Sequence, residues 1–131
     1  MQTNNLIKSK KRRATVIYEN ENGILLTRIS NEPWVLPGGR ANVNEPRIIA
    51  AIRELFEETK LKAIDVKYLF DFESTHFFHK VFLIKAEGIP EPSSEISFLE
   101  YYNHFNPLLS RDIGKSSFKI IQKYNVMRDL K

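Results

Sequence analysis

Three glutamates near the middle of the chain are spaced so that they could hold a metal ion. Glu54, Glu57 and Glu58 stand at positions i, i+3 and i+4, so in an α-helix of about 3.6 residues per turn they share one side. Like charges at this spacing repel one another, and oxygen ligands grouped in this way suit a hard cation such as Mg²⁺. The spacing alone leaves two interpretations open, a metal site and a solvated acidic helix face, of which the second is commoner.

The residues around these glutamates favour the metal site. Gly38 and Gly39 precede the helix and expose backbone groups where a carbonyl could bind metal or an amide could meet a phosphate. Arg53 stands four residues before Glu57, a spacing at which an ion pair could fix that carboxylate. The alternative is an exposed ion pair that contributes well under about 1 kcal/mol.

The helix that carries the glutamates is predicted over residues 45–59. Asn44 is a suitable N-cap, and Pro46 is tolerated in the first turn. Apolar residues recur at helical spacing and predict the buried stripe. This stripe consists of Ile48, Ile49, Ile52, Leu55 and Phe56.

Strands and turns are predicted on both sides of this helix. Residues 14–18 and 24–27 form apolar runs that flank Asn22-Gly23, two residues that tolerate the positive φ of a type I′ hairpin turn. A third run, residues 34–36, ends at Pro37-Gly38-Gly39, which we expect to leave regular structure.

After the helix, residues 64–73 alternate in polarity and predict a strand with one buried face. The face contains Ile64, Val66, Tyr68, Phe70 and Phe72. Further strands are predicted over residues 77–86 and 96–102, with a loop at 88–95 and a terminal amphipathic helix containing Phe118, Ile121 and Tyr124. This order of elements predicts mixed α/β layers around a curved sheet.

Size, charge and composition place limits on the function. The chain has 131 residues and no cysteine, which excludes thiolate catalysis, iron–sulfur clusters and cysteine zinc sites. The net charge of +4 favours anionic partners. We expect residues 1–12 to be a basic, partly disordered leader and residues 13–131 to form one domain. No apolar run resembles a signal peptide or a membrane span, so we expect a cytoplasmic protein without a membrane partner.

The segment from Gly39 to Leu61 resembles the Nudix box, GX5EX7REUXEEXGU, in which U is a bulky aliphatic residue. The chain has Gly39, five residues, Glu45, seven residues, and then the sequence RELFEETKL that starts at Arg53. One fixed position differs, because Lys60 stands where the box has a glycine that eases a left-handed turn. Lys60 still favours the negative end of the helix, so we expect a modest structural cost and no loss of chemistry.

The resemblance implies both a fold and a reaction. Nudix hydrolases are α/β/α sandwiches with a mixed curved sheet, a loop–helix–loop made by the box, and a C-terminal helix. Their chemistry is the attack of water on phosphorus in a nucleoside diphosphate linked to another group. The resemblance assigns Mg²⁺, with Mn²⁺ as a substitute, to the carboxylates of Glu54, Glu57 and Glu58 and the carbonyl of Gly38.

The resemblance also assigns roles to individual residues. Glu54 is the first candidate for the general base or bridging ligand, Arg53 orients Glu57, and Glu45 braces the loop. Some family members have a base or ligand outside the box, for which Glu95 is the first candidate because it precedes a predicted strand after a flexible loop. The other acidic candidates, each of which also fits an ordinary surface acid, are Glu73 and Glu100.

The substrate is less well defined by the sequence. ADP-ribose hydrolases of the family carry a proline about sixteen residues after the box, and this chain has none in residues 75–78. We therefore favour a nucleoside triphosphate or another nucleotide. Candidate phosphate or base contacts, which also fit plain surface arginines, are Arg13, Arg28 and Arg40.

Other polar and aromatic residues fit structural roles better than binding. The three histidines do not have the spacing of a ligand cluster: His76, His79 and His104. Three aromatic residues could stack on a base, but core packing is the more frequent use of such residues. They are Trp34, Phe72 and Phe77.

Two alternative functions stay open at this point. One is a catalytically silent nucleotide-binding module that regulates a partner, although three repelling acids are of little use for affinity alone. The other is a pyrophosphohydrolase of RNA 5′ ends, in which the basic leader holds the RNA; only this alternative predicts a salt-dependent loss of activity on long substrates after deletion of residues 1–12. The protein is expected to be a monomer or a homodimer.

Overall fold

The computed structural model describes residues 10–130, apart from the side chains of residues 107–109. These residues form seven strands, two α-helices and a short 3₁₀ helix at Pro107–Asp112. The strands are β1 (Lys11–Ile17), β2 (Glu19–Asn20), β3 (Gly23–Arg28), β4 (Gly38–Arg40), β5 (Lys62–Glu73), β6 (Phe77–Glu87) and β7 (Phe98–Tyr102). The helices are α1 (Arg47–Thr59) and α2 (Lys115–Asp129).

The strands form two sheets. The larger one has the order β4-β1-β6-β5; it is mixed, because β1 runs parallel to β6 and antiparallel to β4 while β5 runs antiparallel to β6. The smaller sheet has the order β2-β3-β7 and is antiparallel.

The larger sheet lies between the two helices. Successive side chains of a strand point to opposite faces, and β1 uses both faces for packing. Val16 joins the cluster that contains Ala51 and Leu55 of α1, whereas Ile17 joins the cluster that contains Ile120 of α2. The fold is therefore the expected α/β/α sandwich with a mixed sheet, and α1 packs against the face of β1 that contains Val16.

Helix α1 buries a different face from the one predicted. It begins at Arg47, two residues later than expected, with Pro46 and not Asn44 at the N-cap. The buried residues include Ala50, Ala51 and Glu58. The predicted stripe is mostly on the outside, with Ile48, Ile49 and Phe56 each at least 40% exposed. Small alanines let the helix approach the sheet closely, and this turns its acidic side inward.

Two turn predictions are also corrected. The hairpin between β2 and β3 turns at Glu21 and Asn22, because Asn20 pairs with Gly23, and only Gly23 of the predicted pair has a positive φ. The Gly38-Gly39 segment does not leave regular structure: it pairs with β1 as β4.

Strand β5 is longer than predicted and lacks a continuous buried face. Register shifts occur between Ala63 and Asp65 and between Tyr68 and Phe70. Each bulge breaks the alternation of sides, so Phe70 is buried while Ile64 and Tyr68 are about half exposed or more. The 3₁₀ helix at Pro107–Asp112 was not predicted from the sequence.

The N-terminal end of the fold starts earlier than residue 13. Strand β1 includes Lys11 and Arg12, which were assigned to the leader, because both pair with β6 at Phe77 and Phe78. The leader residues 1–9 lie outside the described residues. Within residues 10–130, no helix has the length and apolarity required to cross a membrane.

Candidate active site

A bidentate ion pair joins the loop before α1 to the helix. Arg53 donates from Nε and Nη2 to the two carboxylate oxygens of Glu45, each at 2.9 Å. Glu45 also accepts a hydrogen bond of 2.8 Å from the backbone amide of Asn42. The Arg53 guanidinium and the Asn42 amide lower the pKa of Glu45 to about 2. The two planar groups match in shape, so the loop is held in one position over the helix.

Arg53 also contacts two of the three glutamates on α1 that are predicted to bind metal. Its Nη1 donates to Glu57 at 3.1 Å and lies 3.5 Å from an oxygen of Glu54. Hydrogen bonding to Glu45 is the main reason why the pKa of Arg53 is raised, and Glu54 and Glu57 act in the same direction. The Glu57 side chain is half exposed, so one carboxylate of the set faces solvent while Arg53 holds it.

Glu58 is the most deeply buried of the three glutamates, with 7% of its surface exposed. One of its carboxylate oxygens accepts a hydrogen bond of 3.1 Å from the amide of Gly38. Burial raises the pKa of Glu58 to about 8; the Gly38 amide and Arg13 oppose this shift, and the charges of Glu54 and Glu95 add to it. Gly38 of β4 and the Glu58 carboxylate of α1 are thus joined directly.

The two glycines of β4 leave room that no other residue would leave. A Cβ on Gly39 would lie 2.1 Å from a carboxylate oxygen of Glu54. A Cβ on Gly38 would lie 2.1 Å from the backbone oxygen of Ala14, and Gly38 has φ +144°. Glycine at these positions therefore lets β4 pack against β1 on one side and against the Glu54 carboxylate on the other.

These residues form one wall of a cleft of about 360 Å³. Glu54, Glu58 and Glu95 line it together with Arg13 and Phe77. Burial lowers the pKa of Arg13, and the carboxylates of Glu58 and Glu54 oppose that shift. Burial likewise raises the pKa of Glu54, which Arg53 opposes. The carboxylates of Glu54 and Glu58 and the guanidinium of Arg13 therefore line the same cleft.

The donor set fits a hard divalent cation. Glu54, Glu57 and Glu58 contribute only oxygen donors, and burial disfavours the charged forms of Glu54 and Glu58, an effect that Arg53 and Arg13 only partly oppose. Within residues 10–130, no three acidic or histidine side chains already converge on one point in the manner of a complete metal site. Carboxylates would therefore have to rotate to bind an ion together.

The other predicted contact residues are divided between the cleft and other places. Arg13 and Arg40 line the cleft, whereas Arg28 lies over the Trp34 ring at 5.4 Å and donates to the backbone oxygen of Glu32. Of the acidic candidates outside the box, Glu95 lines the cleft. Glu100 does not; it accepts a hydrogen bond from the amide of Tyr101.

The aromatic residues and histidines show one clear difference from the sequence interpretation. Phe77 was expected in the core but lines the cleft, where the guanidinium of Arg13 lies 5.8 Å from its ring. Its place follows from the parallel pairing of β1 with β6, a long-range contact that no local pattern indicates. Trp34 is in the core, and His79 is buried and bonded to Thr15 at 2.9 Å.

Known proteins that resemble this chain in sequence and in fold belong to one family. The sequence model of the NUDIX domain matches residues 9–123. A nudix hydrolase family member from Chromobacterium violaceum is 36% identical, with a TM-score of 0.84 over 91% of this chain and 79% of that chain. MutT from Aliivibrio salmonicida and Vibrio cholerae is 18% identical, with a TM-score of 0.71 over 86% of this chain and 93% of that chain. No functionally curated protein matches the chain.

A further fold relative was solved with a metal ion. The bifunctional NMN adenylyltransferase/ADP ribose pyrophosphatase from Francisella tularensis, complexed with AMP and a manganese ion, is 18% identical with a TM-score of 0.68. The likeness covers 92% of this chain and 43% of that one. At such identity it supports the fold. Because the family model matches most of the chain and the box residues form the cleft wall, the protein is a member of the Nudix hydrolase family.

Proposed function

We propose that this hydrolase uses Mg²⁺, with Mn²⁺ as a substitute, to cleave the phosphoric anhydride bond of a nucleoside triphosphate or a related nucleotide. The observation that carries the proposal is the burial of Glu54 and Glu58 in the wall of one cleft that also contains Arg13. Burial disfavours the charged form of both carboxylates, so a further cation would balance their charge beyond what Arg13 and Arg53 already contribute. A phosphate-bound divalent cation supplies that balance.

The proposed ligands are Glu54, Glu57 and Glu58, with the carbonyl of Gly38 as a fourth candidate. When bound, the ion neutralises charge on the phosphate oxygens and lowers the pKa of the attacking water. Gly38 holds Glu58 through its amide, and Arg53 holds Glu57. Both contacts restrain a carboxylate of α1 before the substrate arrives, so the remaining reorganisation is the rotation of side chains onto one ion.

The protein's own groups account for the proton and the leaving group. Glu54 accepts the proton of water as the water oxygen forms a bond to phosphorus and the bond from phosphorus to the bridging oxygen breaks, and the leaving group departs as an anion that keeps the bridging oxygen and its electron pair. Glu95 is the second candidate for the general base, because its side chain is exposed and lines the same cleft. Arg13 and Arg40 are placed to contact the phosphate oxygens of the substrate.

The proposal is tested with a panel of nucleoside triphosphates, nucleoside diphosphate sugars and ADP-ribose. Products are separated after incubation with Mg²⁺, with Mn²⁺ or with excess chelator, and the reaction is run in ¹⁸O-labelled water to identify the phosphorus that is attacked. We expect metal-dependent turnover that is highest on a triphosphate. Turnover that persists in chelator would overturn the metal role, and a preference for ADP-ribose would overturn the substrate class.

A further inference from the structure

Strand β5 forms an open edge of the larger sheet. It pairs with β6 on one side, and within residues 10–130 no strand pairs with its other side. Phe70 is the only buried residue among the 12 residues of β5. An unpaired edge presents a row of backbone N–H and C=O groups, and it can pair with a strand of another chain. The fold therefore leaves space for a partner strand beside β5.

Helix α1 carries a strip of apolar side chains on the side nearest this edge. The strip consists of Ile48, Ile52 and Phe56. Ala51 packs against the sheet, and at about 100° per residue the strip lies on one side of Ala51 while Glu54 lies on the other. Glu54 lies beside Gly39 of β4, and β4 and β5 are the two opposite edges of the sheet. The strip therefore lies on the β5 side of α1, where Ile48 and Phe56 are 41% and 40% exposed.

Strand β5 adds further apolar surface on the same face of the sheet. Val66 packs against the cluster that contains Leu55 of α1. The Tyr68 ring lies edge-on to the ring of Phe82 from that cluster, with centroids 6.1 Å apart, and Tyr68 is 49% exposed. We call this surface the edge patch; it consists of Ile48, Ile52, Phe56, Val66 and Tyr68. Exposed apolar surface of this kind is typical of an interface with another protein chain.

The part of β5 in the edge patch is complementary in charge to a second copy of itself. Between its two register shifts, β5 pairs regularly with β6 over residues 65–68. Asp65 and Lys67 flank Val66 there, are exposed, and point to the face opposite Val66. Neither has an ion-pair partner among the described residues, although Lys85 lies across from Asp65 on β6. In an antiparallel pair of β5 strands centred on Val66, each Asp65 lies across from Lys67 of the other copy.

The same charges disfavour the neighbouring registers. A pairing centred on Asp65 sets two aspartates directly across from each other, and a pairing centred on Lys67 does the same with two lysines. Like charges in directly opposite positions destabilise a sheet, whereas opposite charges stabilise it. A two-fold axis between antiparallel strands keeps both α1 helices on one face of the joined sheet. The register centred on Val66 therefore brings the two edge patches together and pairs the charges on the other face.

We propose that two copies of this chain associate through β5, with the strands antiparallel and Val66 at the two-fold axis. The larger sheets of the two copies then form one continuous sheet. Asp65 of each copy pairs with Lys67 of the other on one face, and the edge patches pack between the α1 helices on the opposite face. Because Glu54 lies on the side of α1 away from the edge patch, the cleft of each copy stays accessible.

The association is tested by analytical ultracentrifugation of the wild type at concentrations from about 1 to about 500 μM. We expect a monomer–dimer equilibrium. Asp65→Lys and Lys67→Asp each place two pairs of like charges beside the axis and should raise the dimer Kd about tenfold or more. The double substitution Asp65→Lys/Lys67→Asp restores opposite charges and should return the Kd to within about threefold of the wild type. The matched control Glu21→Lys reverses an exposed charge between β2 and β3 and should leave the Kd unchanged.

Three outcomes of this series overturn the proposal. A wild type that stays monomeric at every concentration leaves the edge patch to a different protein chain. A dimer that neither single charge reversal weakens has its interface elsewhere. Single variants that dissociate without recovery in the double variant show that the strands are not antiparallel around Val66. Circular dichroism of every variant checks that each one is folded.

The apolar half of the interface is tested with Ile48→Gln/Phe56→Gln. Less apolar area is then buried on association, so the dimer Kd should rise about tenfold or more. The melting temperature of the dilute monomer should change little, because both side chains are already largely exposed. An unchanged Kd places α1 outside the interface and overturns the proposed packing. None of these measurements depends on turnover, so the dimer and the proposed function are tested separately.

Discussion

Replacing Glu58 by glutamine removes the charge of the most buried box carboxylate while keeping its size. In the folded protein the pKa of Glu58 is raised from 4.5 to about 8 because the carboxylate is buried, an effect that the charges of Glu54 and Glu95 increase. The amide of Gly38 donates to one of its oxygens. A glutamine oxygen can accept the same hydrogen bond, so the variant tests the effect of the Glu58 charge alone.

The direction of the effect follows from proton binding. Between pH 4.5 and about pH 8 the folded protein retains a proton on Glu58 that the unfolded chain releases. Stability therefore falls as the pH rises through this window, and below it Glu58 is protonated in both states. One pKa unit corresponds to about 1.4 kcal/mol. The charge of Glu58 thus lowers the free energy of unfolding by roughly 4–5 kcal/mol above pH 8.

The assay is urea unfolding in chelator at pH 5 and pH 9 for the wild type, Glu58→Gln and the exposed control Glu87→Gln. At pH 5 the three proteins should agree within about 1 kcal/mol. At pH 9 only Glu58→Gln should be more stable than the wild type, by several kcal/mol. Glu54 is present in all three proteins, and the repulsion between Glu54 and Glu58 is part of the difference that the Glu58→Gln variant removes. Equal stability of Glu58→Gln and the wild type at both pH values would refute the reasoning.

Three further predictions concern the metal, the loop and the end of α1. A Mg²⁺ concentration about ten times its Kd should stabilise the wild type by about 1.4 kcal/mol, because the ion binds only the folded protein; a melting temperature that does not respond would count against the site. Gly39→Ala should lower kcat at least tenfold with little change in stability, because the added Cβ displaces the flexible Glu54 carboxylate. Gly38→Ala should instead cost about 3 kcal/mol in urea unfolding, since its Cβ meets backbone, and equal effects of the two substitutions would contradict this. Lys60→Gly should add about 1 kcal/mol to the free energy of unfolding, because Lys60 has φ 67°. Lys60→Ala keeps the Cβ and should show no gain in the same assay.

Local spacing predicted the elements that carry the site. The interval between Arg53 and Glu57 is set by helical periodicity, and the contact between them is present at 3.1 Å. The sequence also predicted strands β1 and β6 and helix α2, because the periodicity of each element depends on residues a few positions apart. The α/β/α class followed from the order of these elements together with the resemblance to the family.

The burial of individual side chains and the contacts between distant parts of the chain could not be predicted in the same way. Apolar residues such as Ile48 and Phe56 indicated one buried face for α1, but the helix buries Ala50 and Ala51 instead. Which face of α1 is buried depends on how closely the sheet approaches the helix. It also determines the burial of Glu58, and hence its raised pKa.

Two further features depend on strand pairing. Phe77 reaches the cleft because β6 pairs in parallel with β1, and neither strand contains a signal for that pairing. The bulges in β5 turn Tyr68 outward although its position alternates correctly with Phe70 and Phe72. In both cases the side that a residue faces is decided by a neighbour distant in the sequence.

Glu54, in the wall of the cleft, is proposed to take part directly in metal-dependent hydrolysis. The most direct measurement is kcat on the best nucleotide substrate at saturating Mg²⁺ for the wild type, Glu54→Gln and the exposed control Glu87→Gln, with folding of each protein checked by circular dichroism. Loss of a general base or ligand predicts a drop of about a hundredfold or more in Glu54→Gln, with the control unchanged. A folded Glu54→Gln that keeps kcat within about twofold of the wild type, on the scale of such effects, would contradict the account.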